Sequence, residues 1–180
     1  MSNQVFHLPR AYGVVALLVS GITGSCLVAG DLERMQRQHS FNQDYMDFEF
    51  NEIHQREVGD DTAALGLPDD GNGRYMSRRP YADWYFFNVA KRVHRNDVEH
   101  LVTLAPLSLV NGLLMPYPTI GLLATYFVGR QLYTSGYFEK EGALNKLRVA
   151  GSIMCNIAHF STLVLAVVIG WRISRGKLRL

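Results

Sequence analysis

Arg92-Val93-His94-Arg95-Asn96-Asp97-Val98-Glu99 runs, after His100, straight into an uncharged stretch from Leu101 to Gly129. That join between a charged block and hydrocarbon decides the fold. On one helix Arg92, Asn96 and Glu99 fall at i, i+4 and i+7, so their side chains stack along a single face. A guanidinium, an amide and a carboxylate at the mouth of a bilayer segment are costly to desolvate. They require either one another, as an interhelical polar network, or a polar zwitterionic ligand.

The chain has 180 residues and a formal charge of +2, a size that fits one domain, 1–180. Its charge is segregated into short blocks, because Ala11–Gly30 and Val149–Trp171 are also uncharged. About 20 apolar residues cross the hydrocarbon, so these two runs each read as one span. The middle run is broken by Pro116-Tyr117-Pro118, which suits a tight turn better than a helix interior. The expectation is an all-α integral membrane four-helix bundle, with helices over 9–38, 82–114, 119–138 and 144–174. A long polar, acidic connection over 39–80 joins the first two. Gly21 and Gly24 offer a site of close helix approach in helix 1, and Trp84, Tyr85 and Trp171 suit the interfacial belt.

The first span is too long for a signal-peptide core and lacks a small-residue cleavage site, so it reads as a retained anchor. Cys26 and Cys155 fall inside spans and read as free thiols. A basic tail (Arg172, Arg175, Lys177, Arg179) opposes a cluster of Arg34, Arg37, Lys91, Arg92 and Arg95, so charge does not set the sidedness. The small, scattered net charge excludes nucleic acid as a partner. No His or carboxylate cluster has metal-ligand spacing, and polar residues gathered at one end draw no transport path. His100 and His159 read as packing histidines.

A second polar stripe ends helix 3, where Arg130, Tyr133 and Tyr137 fall at i, i+3 and i+7. Asn88, Arg92, His94, Asn96, Asp97 and Glu99 on helix 2, with Gly129, Arg130, Tyr133, Gly136 and Tyr137 on helix 3, resemble the MAPEG family (membrane-associated proteins in eicosanoid and glutathione metabolism). Ala11-Tyr12-Gly13-Val14-Val15 resembles the start of helix 1 in its microsomal glutathione S-transferase type three branch. The resemblance covers about 12–38 and 86–171 and omits the connection. It implies a trimer of four-helix subunits in the endoplasmic reticulum or a mitochondrial membrane, with glutathione as co-substrate near one membrane face. Arg37, Arg92, His94, Asn96 and Glu99 match positions that hold the tripeptide, and Tyr133 and Tyr137 match tyrosines lining the site. Arg148 matches the arginine that faces the thiol, with Lys146 as its rival; Arg148 and Tyr133 are the implied catalytic pair.

The chemistry is coherent with that implication. Arginines grip carboxylates through charge-assisted bonds, a glutamate takes an ammonium, and a cation near the thiol favours the reactive thiolate. Two functions follow. One is a transferase or peroxidase acting on lipophilic electrophiles or lipid hydroperoxides that arrive from the bilayer. The other is a non-catalytic MAPEG-derived accessory subunit of a larger heteromeric membrane complex, for example a mitochondrial respiratory assembly. The long acidic connection, and His100 where the leukotriene-synthase branch carries tyrosine, set this chain apart from its relatives.

Overall fold

The computed structural model describes residues 8–62 and 64–177; Arg179 of the basic tail lies outside them. The described residues form five α-helices: α1 Arg10–Ser40, α2 Gln43–Glu57, α3 Tyr81–Leu114, α4 Pro116–Phe138 and α5 Lys146–Ser174. Among the described residues, α1 and α5 are long and apolar enough to cross a bilayer. Only 28% and 22% of their most apolar windows are buried within the chain, which leaves lipid or another chain to cover the remainder. The first half of α3 is charged, and α4 is rich in Tyr, Pro, Thr and Gly, so neither reaches that hydropathy.

Two elements depart from the sequence-based expectation. Pro116-Tyr117-Pro118 is the first turn of α4 rather than a loop: the break is confined to Met115 (φ −137°, ψ 66°), with Pro116 at the helix start. Proline costs little there, because the first-turn N–H groups have no intrahelical partner. The connection is also folded rather than an extended loop. Asn42 caps α2 by accepting the Tyr45 N–H at 3.0 Å, and Met46 and Phe50, four apart, turn inward.

By its own contacts the chain divides into two compact units, one comprising Cys26–Asn96 and the other the chain up to Ser25 together with Asp97 onward. The Cys26–Asn96 unit is built on Phe41, Met46, Phe50, Met76 and Phe87, with Tyr45, Ile53 and Tyr75 against them. Its irregular segment is knotted by Asp69, whose carboxylate accepts the backbone N–H groups of Gly71, Gly73, Tyr75 and Met76 at 2.8–2.9 Å.

The other unit packs Val15 and Ile22 of α1, Leu104 of α3, Leu123 and Tyr126 of α4, and Cys155 and Ala158 of α5 into one core. Both cysteines are buried free thiols. Asn111 donates to the Thr162 carbonyl at 2.9 Å across α3 and α5. The close helix approach lies between α4 and α5, at glycines other than those expected. A Cβ on Gly129 would stand 2.8 Å from Met154 Cβ, and one on Gly136 2.8 Å from Arg148 Cβ. Gly24 has open space instead, and Gly21 meets only a Phe127 ring carbon at 3.9 Å.

Candidate functional site: a tyrosine–arginine cluster and a polar ridge

Arg92, Asn96 and Glu99 all lie on the continuous helix α3. Arg92 and Glu99 are exposed and Asn96 is half-buried. Asp97, one residue round the helix, points inward instead.

In the unit that begins at Asp97, that carboxylate meets Arg130 Nε at 3.0 Å, with both side chains 1% exposed. Such a buried pair withstands desolvation only with close, well-oriented partners. Arg130 lies over the Tyr133 ring at 4.8 Å, and Tyr133 meets Tyr137 edge-on at 5.1 Å. Gly136 lets the start of α5 come down onto this stripe. That places the Arg148 guanidinium 5.6 Å from the Tyr133 centroid and 5.1 Å from that of Tyr137. Arg148 Nε is buried there and has no hydrogen-bond partner among the described residues. Lys146 instead lines a shallow cavity with Glu139, Lys140 and Glu141, so Arg148 is the cation against the tyrosines.

The cluster joins one guanidinium with an unpaired N–H, a second held by Asp97, two phenols and the positively polarised first turn of α5. Apart from Arg130, whose charge Asp97 offsets, each of these favours an anion over its conjugate acid. Lower in the same unit, His159 Nε2 lies 2.6 Å from the Thr103 hydroxyl and its ring 4.8 Å from that of His100. These histidines link α3 to α5.

Arg37 and His94, expected to grip a ligand, are engaged by their own Cys26–Asn96 unit. Arg37 donates to the Asp69 carbonyl at 2.8 Å and the Leu65 carbonyl at 3.3 Å. It also lies 3.8 Å from the Asp70 carboxylate and over the Phe41 and Phe87 rings. Lys91 pairs with the same Asp70 carboxylate. His94 Nδ1 is 2.7 Å from Glu33, and its imidazole rests against Gly30, where a Cβ would come within 3.2 Å of Nε2. Arg92 is exposed and makes no ion pair among the described residues.

Sequence reasoning gave no site role to Asp97, Glu33, Lys91 or Asp70. The signal for Asp97 was present, since a carboxylate one position off a polar stripe faces the helix bundle, where only a buried cation such as Arg130 can satisfy it.

Fold and site together define a class: an all-α chain with bilayer-length helices, carrying an anion-favouring arginine–tyrosine cluster where α4 ends and α5 begins. Residues 58–171, more than half of the sequence, match the MAPEG family. The chain therefore belongs to that family, a group associated with glutathione-dependent lipid metabolism. The match ends at Trp171 as expected, but it takes in the second part of the connection and leaves α1 outside. No curated protein and no solved structure matches the chain.

Proposed function

We propose that this chain is a membrane-bound glutathione transferase or peroxidase of the microsomal type-three kind, a single MAPEG-like domain in which α1, α3, α4 and α5 all span the bilayer. It works as a homotrimer in the endoplasmic reticulum or a mitochondrial membrane. The observation that carries the reading is Arg148, a cation stacked on Tyr133 and Tyr137 with a buried N–H left over. A thiolate fits that position: it is a soft monoanion, the N–H supplies a charge-assisted donor, and the tyrosine faces exclude water.

Lowering a thiol pKa by about two units takes about 2.7 kcal/mol of preferential stabilisation. That is within reach of one partly desolvated guanidinium at the effective dielectric of a protein boundary. Arg148 stabilises the thiolate and Tyr133 donates to it, while Tyr137 walls the site. Arg92, Asn96 and Glu99 on the α3 ridge, with His94 on the same helix, hold the tripeptide by its carboxylates and ammonium, while Arg37 stays engaged by the connection. Glutathione supplies the nucleophilic sulfur. In transfer, a carbon–sulfur bond forms as the electrophile's leaving group or π-electron pair departs. In reduction, one hydroperoxide and two glutathiones give an alcohol, water and the disulfide.

The test is initial-rate kinetics on purified protein with an aryl chloride and with a lipid hydroperoxide, alongside thiolate absorbance. Arg148→Ala is expected to lower turnover about 25-fold at neutral pH, the change in thiolate fraction when a pKa returns from about 6.5 to about 8.5, and Arg148→Lys to recover part of it. Unchanged turnover in Arg148→Ala and Tyr133→Phe would overturn the reading.

A second reading, a non-catalytic accessory subunit within a larger membrane complex, is favoured by one observation. Arg37 and Lys91 are already engaged by the chain's own Asp69 carbonyl and Asp70 carboxylate. It predicts a single copy per heteromeric assembly and no protection of the purified chain by glutathione. The mass of the detergent-solubilised particle separates it from a homotrimer.

A further inference from the structure

Within Cys26–Asn96 a cleft opens between α2 and the segment from Pro68 to Arg78. One lobe, about 300 Å³, has Phe50, Ile53, Val58 and Pro68 as its apolar wall, with His54 and Tyr75 beside them. A second lobe of about 350 Å³ shares Pro68, Arg74 and Tyr75. Each lies at the lower end of the range for small-molecule sites, which are mostly apolar with a few fixed polar groups.

The Asp69 carboxylate, which lines the second lobe, is held by four backbone N–H groups, and of the other charged side chains lining the cleft all but one have an ionic partner. Arg78 is held by the Glu49 carboxylate at 3.1 Å and lies over Phe50. Glu57 is paired with Arg56 at 3.2 Å. Arg74 is exposed, and among the described residues its guanidinium has no hydrogen bond, ion pair or aromatic contact. It lines both lobes.

The walls are fixed in advance of any ligand. Asp69 receives the Gly73 and Tyr75 N–H groups at 2.9 and 2.8 Å, and Tyr75 stands edge-on to Phe50 at 4.7 Å. The Tyr45 hydroxyl donates to the Tyr75 carbonyl at 2.6 Å. Burial, against the opposing pull of Arg79, raises the pKa of that hydroxyl above its ordinary value of 10.0 and keeps it a donor. Preformed walls reduce the ordering cost of binding.

We propose that this cleft is a binding site for a small organic monoanion with an aromatic or branched aliphatic body, packed on Phe50, Ile53 and Tyr75, whose carboxylate is taken by Arg74. The site belongs to the connection, and its ligand need not be a glutathione substrate.

The probe is phenylbutyrate, titrated into the detergent-solubilised full chain without glutathione and followed by saturation-transfer NMR and calorimetry. A single saturable site is expected, with neutral phenylbutyramide about tenfold weaker because the charge-assisted bonds are lost. Arg74→Glu should weaken phenylbutyrate by at least about tenfold, and Ile53→Trp should abolish binding by filling the wall. Absence of saturable binding, equal binding of acid and amide, or wild-type binding by Arg74→Glu would each overturn the proposal. The acid-to-amide comparison needs no variant, so a folding defect cannot decide the result. Failure here leaves the transferase reading standing, because no residue is shared.

Discussion

Removing the Asp97 carboxylate tests how the tyrosine cluster is held in place. Asp97 and Arg130 are each 1% exposed and 3.0 Å apart. Asp97→Ala therefore strands a buried guanidinium, a loss of about 3–5 kcal/mol by analogy with other broken buried pairs. For a chain of this size one kcal/mol moves Tm by about 2–4 °C, so the expected fall is roughly 6–20 °C, read by thermal unfolding in detergent. The double variant Asp97→Leu with Arg130→Met removes both charges and keeps the volume, and should recover most of that loss. Its activity should stay low, because Arg130 no longer braces the Tyr133 ring from 4.8 Å. Stability would then return without turnover. A fall of under about 1 kcal/mol in Asp97→Ala would mean the pair is not a buried electrostatic unit, and the positioning argument for Tyr133 would fail with it.

Gly136→Ala should push α4 away from the start of α5, because the new Cβ would stand 2.8 Å from Arg148 Cβ with backbone as its other neighbours. Overpacking of this kind costs about 1–3 kcal/mol and should reduce turnover more than thermal stability; Gly24→Ala, facing open space, is the matched control and should change neither. Asp69→Ala leaves four backbone N–H groups without their acceptor, two of them buried, at about 1–3 kcal/mol for each buried donor. Trypsin should then cut after Arg74 and Arg78 much faster than in the unaltered chain, and an unchanged cleavage rate would show that Asp69 does not secure the segment.

The long helices were legible because uncharged runs of bilayer length leave few alternatives, and all four lie within a few residues of where the apolar pattern puts them. The α2 helix was harder to read, since Phe48 and the acidic residues between its apolar positions blur the period. Its signal was Asn42 as a cap followed by Met46, Phe50 and Ile53 at i, i+4 and i+7. Proline misled at Met115–Pro118, because a Pro-x-Pro turn and a helix opening on proline use the same residues. Glycine misled for a different reason: sequence shows where backbones can approach but not which face meets a neighbour, so Gly129 and Gly136 could not be told from Gly21 and Gly24. Among site residues, Arg148 over Tyr133 and Tyr137 depended on that same seam. The choice between Arg148 and Lys146 needed the helix phase of α5, which Asn145 sets by accepting the Leu147 N–H at 2.8 Å.

The connection changes the electrostatics that a twice-carboxylated ligand would meet. Asp70 already lies against Lys91 and near Arg37, while Arg37 Nη1 donates to the Leu65 and Asp69 carbonyls. A glutathione carboxylate that used Arg37 would have to displace neutral carbonyl partners as well as Asp70, and so pull apart the segment that Asp69 knots. Arg92 asks for no such exchange, since it stands exposed on the ridge with no ion pair among the described residues. On the proposed reading the tripeptide is therefore anchored through the α3 ridge and the thiol through Arg148, with Arg37 serving the connection. Arg37→Ala should then loosen the 64–79 segment and raise glutathione KM less than Arg92→Ala does, and the reverse order would return Arg37 to the ligand.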